Sequence, residues 1–371
     1  MTRLRLADFR NYRSLAAETD ARFVVLYGDN GSGKTNLLEA VSLLTPGRGL
    51  RRATYRDMAR EGGSGGFSVR ADIVSAAEEA TDALTIVRPD EGAASPRTLR
   101  LDEAPAKSLD DLLGHCRLLW LTPAMDGLFT GPAGDRRRFL DRLVLTLDPE
   151  HGRRSLDYER AMRGRNRLLA EDRRDPVWLS GLEEQMAGLG LAIALARAET
   201  VQRLGALLAA RREGAGPFPA AELELSTGYG PLDLSRPAAE TEDEIAARLA
   251  SGRAQDRAAG RTLEGPHRAE LTVTHLDKNM PAALASTGEQ KALLIGLILA
   301  HAGLVANSCG LPPILLLDEI AAHLDPARRA ALFGIVESLG VQCFMTGTDE
   351  ALFSAIADTA RMLRVDKGAI S

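Results

Sequence analysis

Phe23-Val24-Val25-Leu26-Tyr27 is an unbroken apolar run, Gly28-Asp29-Asn30-Gly31-Ser32-Gly33-Lys34-Thr35 is a glycine-rich turn, and Asn36-Leu37-Leu38-Glu39-Ala40-Val41 returns to helical patterning. No other feature constrains the chain as much, because strand, loop and helix arrive in the order and spacing of a phosphate-binding loop. The glycines let the backbone curl so that successive N–H groups point at phosphates, and the following helix adds its positive end. Lys34 is placed to bridge the β- and γ-phosphates of a nucleoside triphosphate, and the Thr35 hydroxyl to hold Mg2+. Gly28, Asp29, Asn30, Gly31, Ser32, Gly33, Lys34, Thr35 and Asn36 are therefore the candidate nucleotide contacts of this segment.

A second set of signals stands near the other end. Pro313-Ile314-Leu315-Leu316-Leu317-Asp318-Glu319 is an apolar strand that ends in two carboxylates. Acids at the tip of a buried strand point to chemistry there. Asp318 is expected to complete the magnesium shell through water and Glu319 to polarise the water that attacks the γ-phosphate. Ahead of them, Ser286-Thr287-Gly288-Glu289-Gln290-Lys291 has capping-box spacing, so a helix should begin there with bare N–H groups suited to a second phosphate contact. Each feature has an ordinary reading as a turn, a strand end or a cap. In this order they resemble an ABC-type ATPase head. In that class the signature turn, here Ser286, Gly288 and Gln290, meets the γ-phosphate held by the opposite subunit, and His323-Leu324-Asp325 stands at the offset of the loop crossing between subunits. The resemblance thus implies an ATP-dependent homodimer with two sandwiched nucleotides.

The chain has 371 residues, 45% hydrophobic and 26% charged, which gives a large core and room for two or three domains. Met1-Thr2-Arg3-Leu4-Arg5-Leu6 carries charge where a secretory signal needs an apolar core. Ala292 to Ala306 reads as too short to span a bilayer, and no membrane association is expected. Cys116, Cys309 and Cys343 are scattered and read as reduced core thiols of a cytoplasmic protein. Histidine spacing suggests no structural metal.

What fills the roughly 250 residues between the two halves of the site decides the architecture. Phe67 to Val74, Ala83 to Arg88 and Thr98 to Leu101 read as strands. From Asp135 the period becomes helical. Trp178, Leu182, Met186, Leu189, Ile193, Thr200, Leu204 and Leu207 describe one long amphipathic helix, with Asp157 to Ala170 as its antiparallel partner. No heptad pattern persists long enough for an extended coiled coil. The expected fold is α/β: an ABC-type P-loop ATPase head, with a mixed sheet, flanking helices and an antiparallel β subdomain, carrying an inserted helical arm. Residues 1–134 and 261–371 form the head in this reading, and 135–260 the arm. Strands at Val341 to Thr346 and Ala360 to Val365 complete the sheet.

Residues beyond the ATP motifs carry a closer likeness. Phe9-Arg10-Asn11-Tyr12, Gly131-Pro132 with Arg136-Arg137-Arg138-Phe139-Leu140-Asp141, Arg165-Asn166-Arg167-Leu168-Leu169, Gly265-Pro266-His267-Arg268 and Thr346-Gly347-Thr348-Asp349 occur in the order found in the RecF family of recombination-mediator ATPases, which the chain resembles over nearly its full length. Pro123-Ala124-Met125-Asp126 departs from that pattern, and no glutamine loop is evident. The resemblance implies weak ATP hydrolysis coupled to binding DNA at single-strand gaps, single-to-double-strand junctions or duplex, and assistance to RecR and RecO in loading RecA. An ATPase subunit of a transporter, an SMC-like chromosome-associated ATPase and an ATP-driven nuclease remain alternatives. The first lacks its switch histidine here, and the nuclease has only about 46 residues left after Asp325 for a metal domain.

Net charge −5 does not by itself indicate a DNA binder. Any such surface is local: Arg48, Arg51, Arg52 and Arg56; Arg136 to Arg138; or Arg153, Arg154, Arg163, Arg165 and Arg167. Each run reads equally as a solvated face, and Arg136 to Arg138 also as structural ion pairs. Arg10 either meets the adenosine, as the resemblance implies, or belongs to a turn between strands. His267 and Arg268 belong to a subunit or nucleotide interface, or to a strand-entry turn.

Overall fold

A computed structural model describes residues 1–74, 79–89, 97–171, 175–211 and 216–371. Two compact units emerge, one from 1–126, 216–219 and 286–371, the other from 127–211 and 220–285.

The first unit holds two six-stranded sheets. One is antiparallel, built from β1 (Arg3–Phe9), β2 (Tyr12–Glu18), β4 (Phe67–Val74), β5 (Ala80–Val87), β6 (Thr98–Leu101) and β7 (Ala104–Pro105) in the order β2-β1-β4-β5-β6-β7. In β4 and β5 burial alternates strictly, as a sheet with one covered face requires. The other sheet runs β15-β14-β3-β13-β12-β8, with β3 (Phe23–Tyr27), β8 (Leu118–Leu121), β12 (Ile314–Leu317), β13 (Cys343–Gly347), β14 (Ala360–Asp366) and β15 (Ala369–Ile370). All its pairings are parallel except β14 with β15. β8, β12 and β13 are buried at every residue, so their apolar runs show no alternation.

Helices α1 (Lys34–Ser42), α8 (Thr287–Cys309) and α9 (Pro326–Leu339) belong to this unit, together with the single turn α2 (Tyr55–Met58). α8 corrects one expectation. Ala292 to Ala306 is part of a 23-residue helix, long and apolar enough by length and composition to cross a membrane. Every residue from Gln290 to Val305 is buried, which marks it as a core helix with apolar character all round.

In the second unit α3 (Ala133–Leu145), α4 (His151–Ala170) and α5 (Pro176–Arg211) pack with α6 (Ala238–Ser251), α7 (Arg253–Ala259) and a small sheet of β9 (Ala221–Ser226), β10 (Glu270–His275) and β11 (Met280–Pro281). The long helix and its partner are thus where the periodicity puts them. Met186, Ile193, Thr200 and Leu204 are buried, but Trp178 is 63% exposed and Leu179 is buried in its stead. The unit reaches past 135–260 on both sides, because β10 pairs with β9 and α3 packs on β10.

Candidate nucleotide site

β3 enters the loop from the middle of the mixed sheet, flanked by β13 and β14, and α1 leaves it. Gly28, Gly31 and Gly33 have φ of 143, 80 and 118°, backbone that side chains rarely adopt. A Cβ on Gly28 would stand 2.4 Å from Val365 O, and one on Gly33 2.5 Å from Asn11 Nδ2. The hairpin turn between β1 and β2 explains the second crowding: Asn11 Nδ2 donates to Ser32 O at 3.0 Å and the buried Tyr12 hydroxyl to Gly33 O at 3.0 Å. The turn therefore buttresses the loop from below.

Lys34 is buried, and its Nζ donates to Gly28 O at 2.7 Å and Asp29 O at 2.8 Å. Burial lowers its ammonium pKa, against the opposing pull of Glu319, Asp318 and Asp29. Thr35 Oγ1 donates to Asp318 Oδ1 at 2.9 Å, joining residues 283 positions apart. Asp318 is 5% exposed, and burial raises its carboxyl above the ordinary range while hydrogen bonds from Thr346 and Thr35 act the other way. Glu319 is half-buried and lines a cavity together with Asn30, Gly31, Gly33, Lys34, Thr35, Asn36 and Arg51.

Do these residues fit a magnesium triphosphate? Two observations say they do. The Ser32 hydroxyl is buried in the cradle with no hydrogen-bond partner, and the Thr35 hydroxyl and Asp318 carboxylate form a hard oxygen pair suited to Mg2+.

The other expected site residues lie as follows. Ser286 caps α8 with a full capping box: its Oγ accepts from Glu289 N, and Glu289 Oε2 accepts from Ser286 N at 3.0 Å. The capping box expected from the spacing is thus present, and it takes up the Ser286 and Glu289 N–H groups of the helix start. Ser286 and Gly288 are exposed and Gln290 is buried. Asp325 is exposed and caps α9 through Arg328 N at 2.8 Å. Arg10 lies in the turn between β1 and β2: φ is 53°, and the guanidinium bonds Glu39 at 2.7 and 2.8 Å and Asp57 O at 2.6 Å. Glu39 is fully buried behind the loop, so its charge requires such a partner.

The arginine runs separate sharply. Arg51 lines the cavity and donates to Asn36 Oδ1 at 2.7 Å, and it is exposed, as are Arg48, Arg52 and Arg56. Arg136 pairs bidentately with Glu270 and Arg138 pairs with Asp135, as structural ion pairs would, whereas Arg137 donates to the backbone oxygen of Ala269. Arg165 must be withdrawn from any DNA surface. It is 0% exposed and bonds Glu183, Asp256, Thr262 and Leu249 O inside the helical unit. His267 also faces inward, between the Tyr158 hydroxyl at 3.2 Å and Thr262 O at 3.0 Å, and leaves Arg268 exposed. Sequence reasoning singled out neither Arg51 as a lining residue nor Glu39 as its buried counter-charge. Glu39, an acid on the apolar face of α1, was the available signal.

The family model described as RecF/RecN/SMC N terminal domain matches residues 1–371. A Rhizobium etli protein named DNA replication and repair protein RecF is 58% identical over 370 residues, covering 100% of this chain and 98% of its own. The chain belongs to the RecF family. A RecF protein of the same name from Agrobacterium fabrum is 57% identical over 372 residues with the same coverage. Among solved structures, the recombination mediator protein RecF with ATPrS superposes with a TM-score of 0.86 at 22% identity, over 100% of this chain and 97% of that one. An SMC head bound to the C-winged helix domain of ScpA gives 0.55 at 14% identity, over 100% and 95%. At these identities the two structures establish the fold, an ABC-type ATPase head of the kind shared by RecF and SMC proteins.

Proposed function

We propose that the chain binds ATP with Mg2+ at the loop Gly28–Asn36, hydrolyses it slowly, and couples occupancy to dimerisation on DNA during replication-gap and recombinational repair. The observation that carries the reading is the Thr35–Asp318 bond, which joins the phosphate-binding loop to the acid-tipped strand across 283 residues. RecF relatives are named for DNA replication and repair, and solved RecF structures carry ATP or ATPrS in the RecFOR pathway.

In this reading the N–H groups of the loop and the Lys34 ammonium hold the triphosphate. Thr35 and Asp318 would hold Mg2+, which when bound neutralises charge on the β- and γ-phosphates. The Glu319 carboxylate orients and polarises the attacking water. Ser286, Gly288 and Gln290 of one copy close over the nucleotide held by its mate; Ser286 and Gly288 are exposed at the start of α8 and Gln290 is buried behind them. The RecFOR pathway named for the solved RecF structures supports RecR and RecO as partners; RecA as the loaded protein and a cytoplasmic setting without a membrane are part of the same proposal.

DNA contacts fall to exposed arginines: Arg48, Arg52 and Arg56 near the loop, and Arg153, Arg163 and Arg167 on α4. The aromatics within these runs are engaged inside the protein, Tyr55 packed on Phe67 and Tyr158 buried, so contacts to the phosphate backbone without sequence preference are expected. A gel-shift of the full chain on gapped DNA at fixed salt, with and without ATP, tests the reading. ATP-dependent retention without strand cleavage is the expected result; ATP-independent binding or cleavage contradicts it.

A further inference from the structure

β12 carries Asp318 and Glu319 to the end of the mixed sheet, and the parallel neighbour β13 carries Thr346 beside them. Thr346 is 0% exposed, and its hydroxyl is used twice. Oγ1 donates to Asp318 Oδ1 at 2.8 Å and accepts the backbone N–H of Glu319 at 2.8 Å. The Asp318 oxygen that takes this bond also takes the one from Thr35. A continuous path, Thr346 to Asp318 to Thr35, therefore runs from β13 through the end of β12 to the first turn of α1.

The second bond falls on an unusual backbone. Glu319 has φ 55°, in the left-handed region where a glutamate stays only when its surroundings hold it. Its N–H is the group nearest that bend, and Thr346 is what it donates to. Since φ at Glu319 sets the direction of its Cα–Cβ bond, whatever anchors that N–H also aims the carboxylate.

We propose that Thr346 is a positioning residue for ATP hydrolysis: one hydroxyl clamps the Asp318 carboxylate and the Glu319 backbone together, and so fixes where the Glu319 carboxylate stands relative to Lys34 and Thr35. This rests on the ATPase reading above and deepens it. The chemistry asks for a group that donates and accepts at once in a small buried space. Serine meets that requirement; valine, of nearly the same shape and the same branching at Cβ, does not.

The test uses full-length protein with ATP and Mg2+, comparing wild type, Thr346→Val, Thr346→Ser, Glu319→Gln and the Glu319→Gln/Thr346→Val double variant for kcat, ATP affinity and melting temperature. Thr346→Val is expected to lower kcat about tenfold or more while the Kd for ATP stays within about threefold, and Thr346→Ser to recover most of the rate. In the Glu319→Gln background the valine should cost less than about a further twofold, because the residue it acts through has already been disabled. Wild-type kcat in Thr346→Val, equal losses in the serine and valine variants, or fully multiplicative losses in the double variant would each overturn the proposal. Should Thr346→Val fold poorly, Thr346→Ala against Thr346→Ser makes the same comparison. Equal hydrolysis by wild type and Lys34→Ala would instead defeat the ATPase reading, and this inference with it.

Discussion

At the scale of single residues, the nucleotide site depends on side chains with distinct tasks. Lys34 is buried against carbonyls of its own loop, so removing it leaves Gly28 O and Asp29 O facing inward without their donor. Lys34→Ala is expected to abolish ATP binding, measured by fluorescent-nucleotide titration; affinity within about threefold of wild type would contradict the assignment. Glu319→Gln keeps shape and removes charge. Its kcat should fall about 10²- to 10⁴-fold with ATP affinity retained, as expected for loss of a group acting on the proton of the attacking water. Most of this site was legible in the sequence, because loop residues contiguous from Gly28 to Asn36 carry their chemistry in their spacing. What could not be read was pairing over distance. The meeting of Thr35 and Asp318, 283 residues apart, was expected from their motifs; the bond of Asp318 to Thr346, 28 residues on, was not, and only the parallel order β3-β13-β12 makes it. Arg165 failed for the same reason. An arginine run shows its charge but not the acids that neutralise it, and Glu183 and Asp256 stand 18 and 91 positions away.

At the scale of elements, the helical unit is held by buried charge as well as by apolar packing. Arg165 joins α4 to Glu183 of α5, Asp256 of α7 and the Leu249 carbonyl of α6. Among the described residues, truncating it leaves the buried Asp256 carboxylate with only the Leu263 N–H and Glu183 with Arg253 alone, so Arg165→Ala should destabilise this unit by about 3 kcal/mol. Hydrogen-exchange protection of α4, α5 and α7 measures the loss, and unchanged protection would refute it. The unit should also weaken in mild acid. Burial holds the His267 imidazole below its ordinary pKa of 6.5, so the unfolded chain binds a proton there that the folded one refuses. That contribution is complete above pH 6.5 and is lost as pH falls below it. Asp141 is held below its usual carboxyl range despite burial, by His151 and Arg197, and Glu270 by Arg136; their contributions are lost in the same direction at lower pH. His267→Gln should flatten the dependence of protection on pH just below 6.5, and an unaltered slope would remove His267 as its source. The helical hairpin was legible from its period, whereas β9 was missed although Leu223 and Leu225 alternate with Glu222 and Glu224. The alternation is short, and it lies next to a polar stretch that forms α6 and α7.

For the whole molecule, the proposed dimer gives each ATPase head one half-site for its own nucleotide and another, at Ser286 and Gly288, for a mate. If ATP favours the closed dimer and the closed dimer holds DNA, linkage requires gapped DNA to raise ATP affinity by the factor by which ATP raises DNA affinity. Titrations in both directions check this, and unequal factors would break the cycle. The decisive measurement is the solution mass of Glu319→Gln protein at saturating ATP and Mg2+, by light scattering, beside the same protein carrying Ser286→Arg. Twice the chain mass for Glu319→Gln, and a single chain with nucleotide still bound for the double variant, is the expected result. Single chains with filled sites in both, or dimers in both, would contradict a nucleotide shared between Lys34 of one copy and Ser286 of the other.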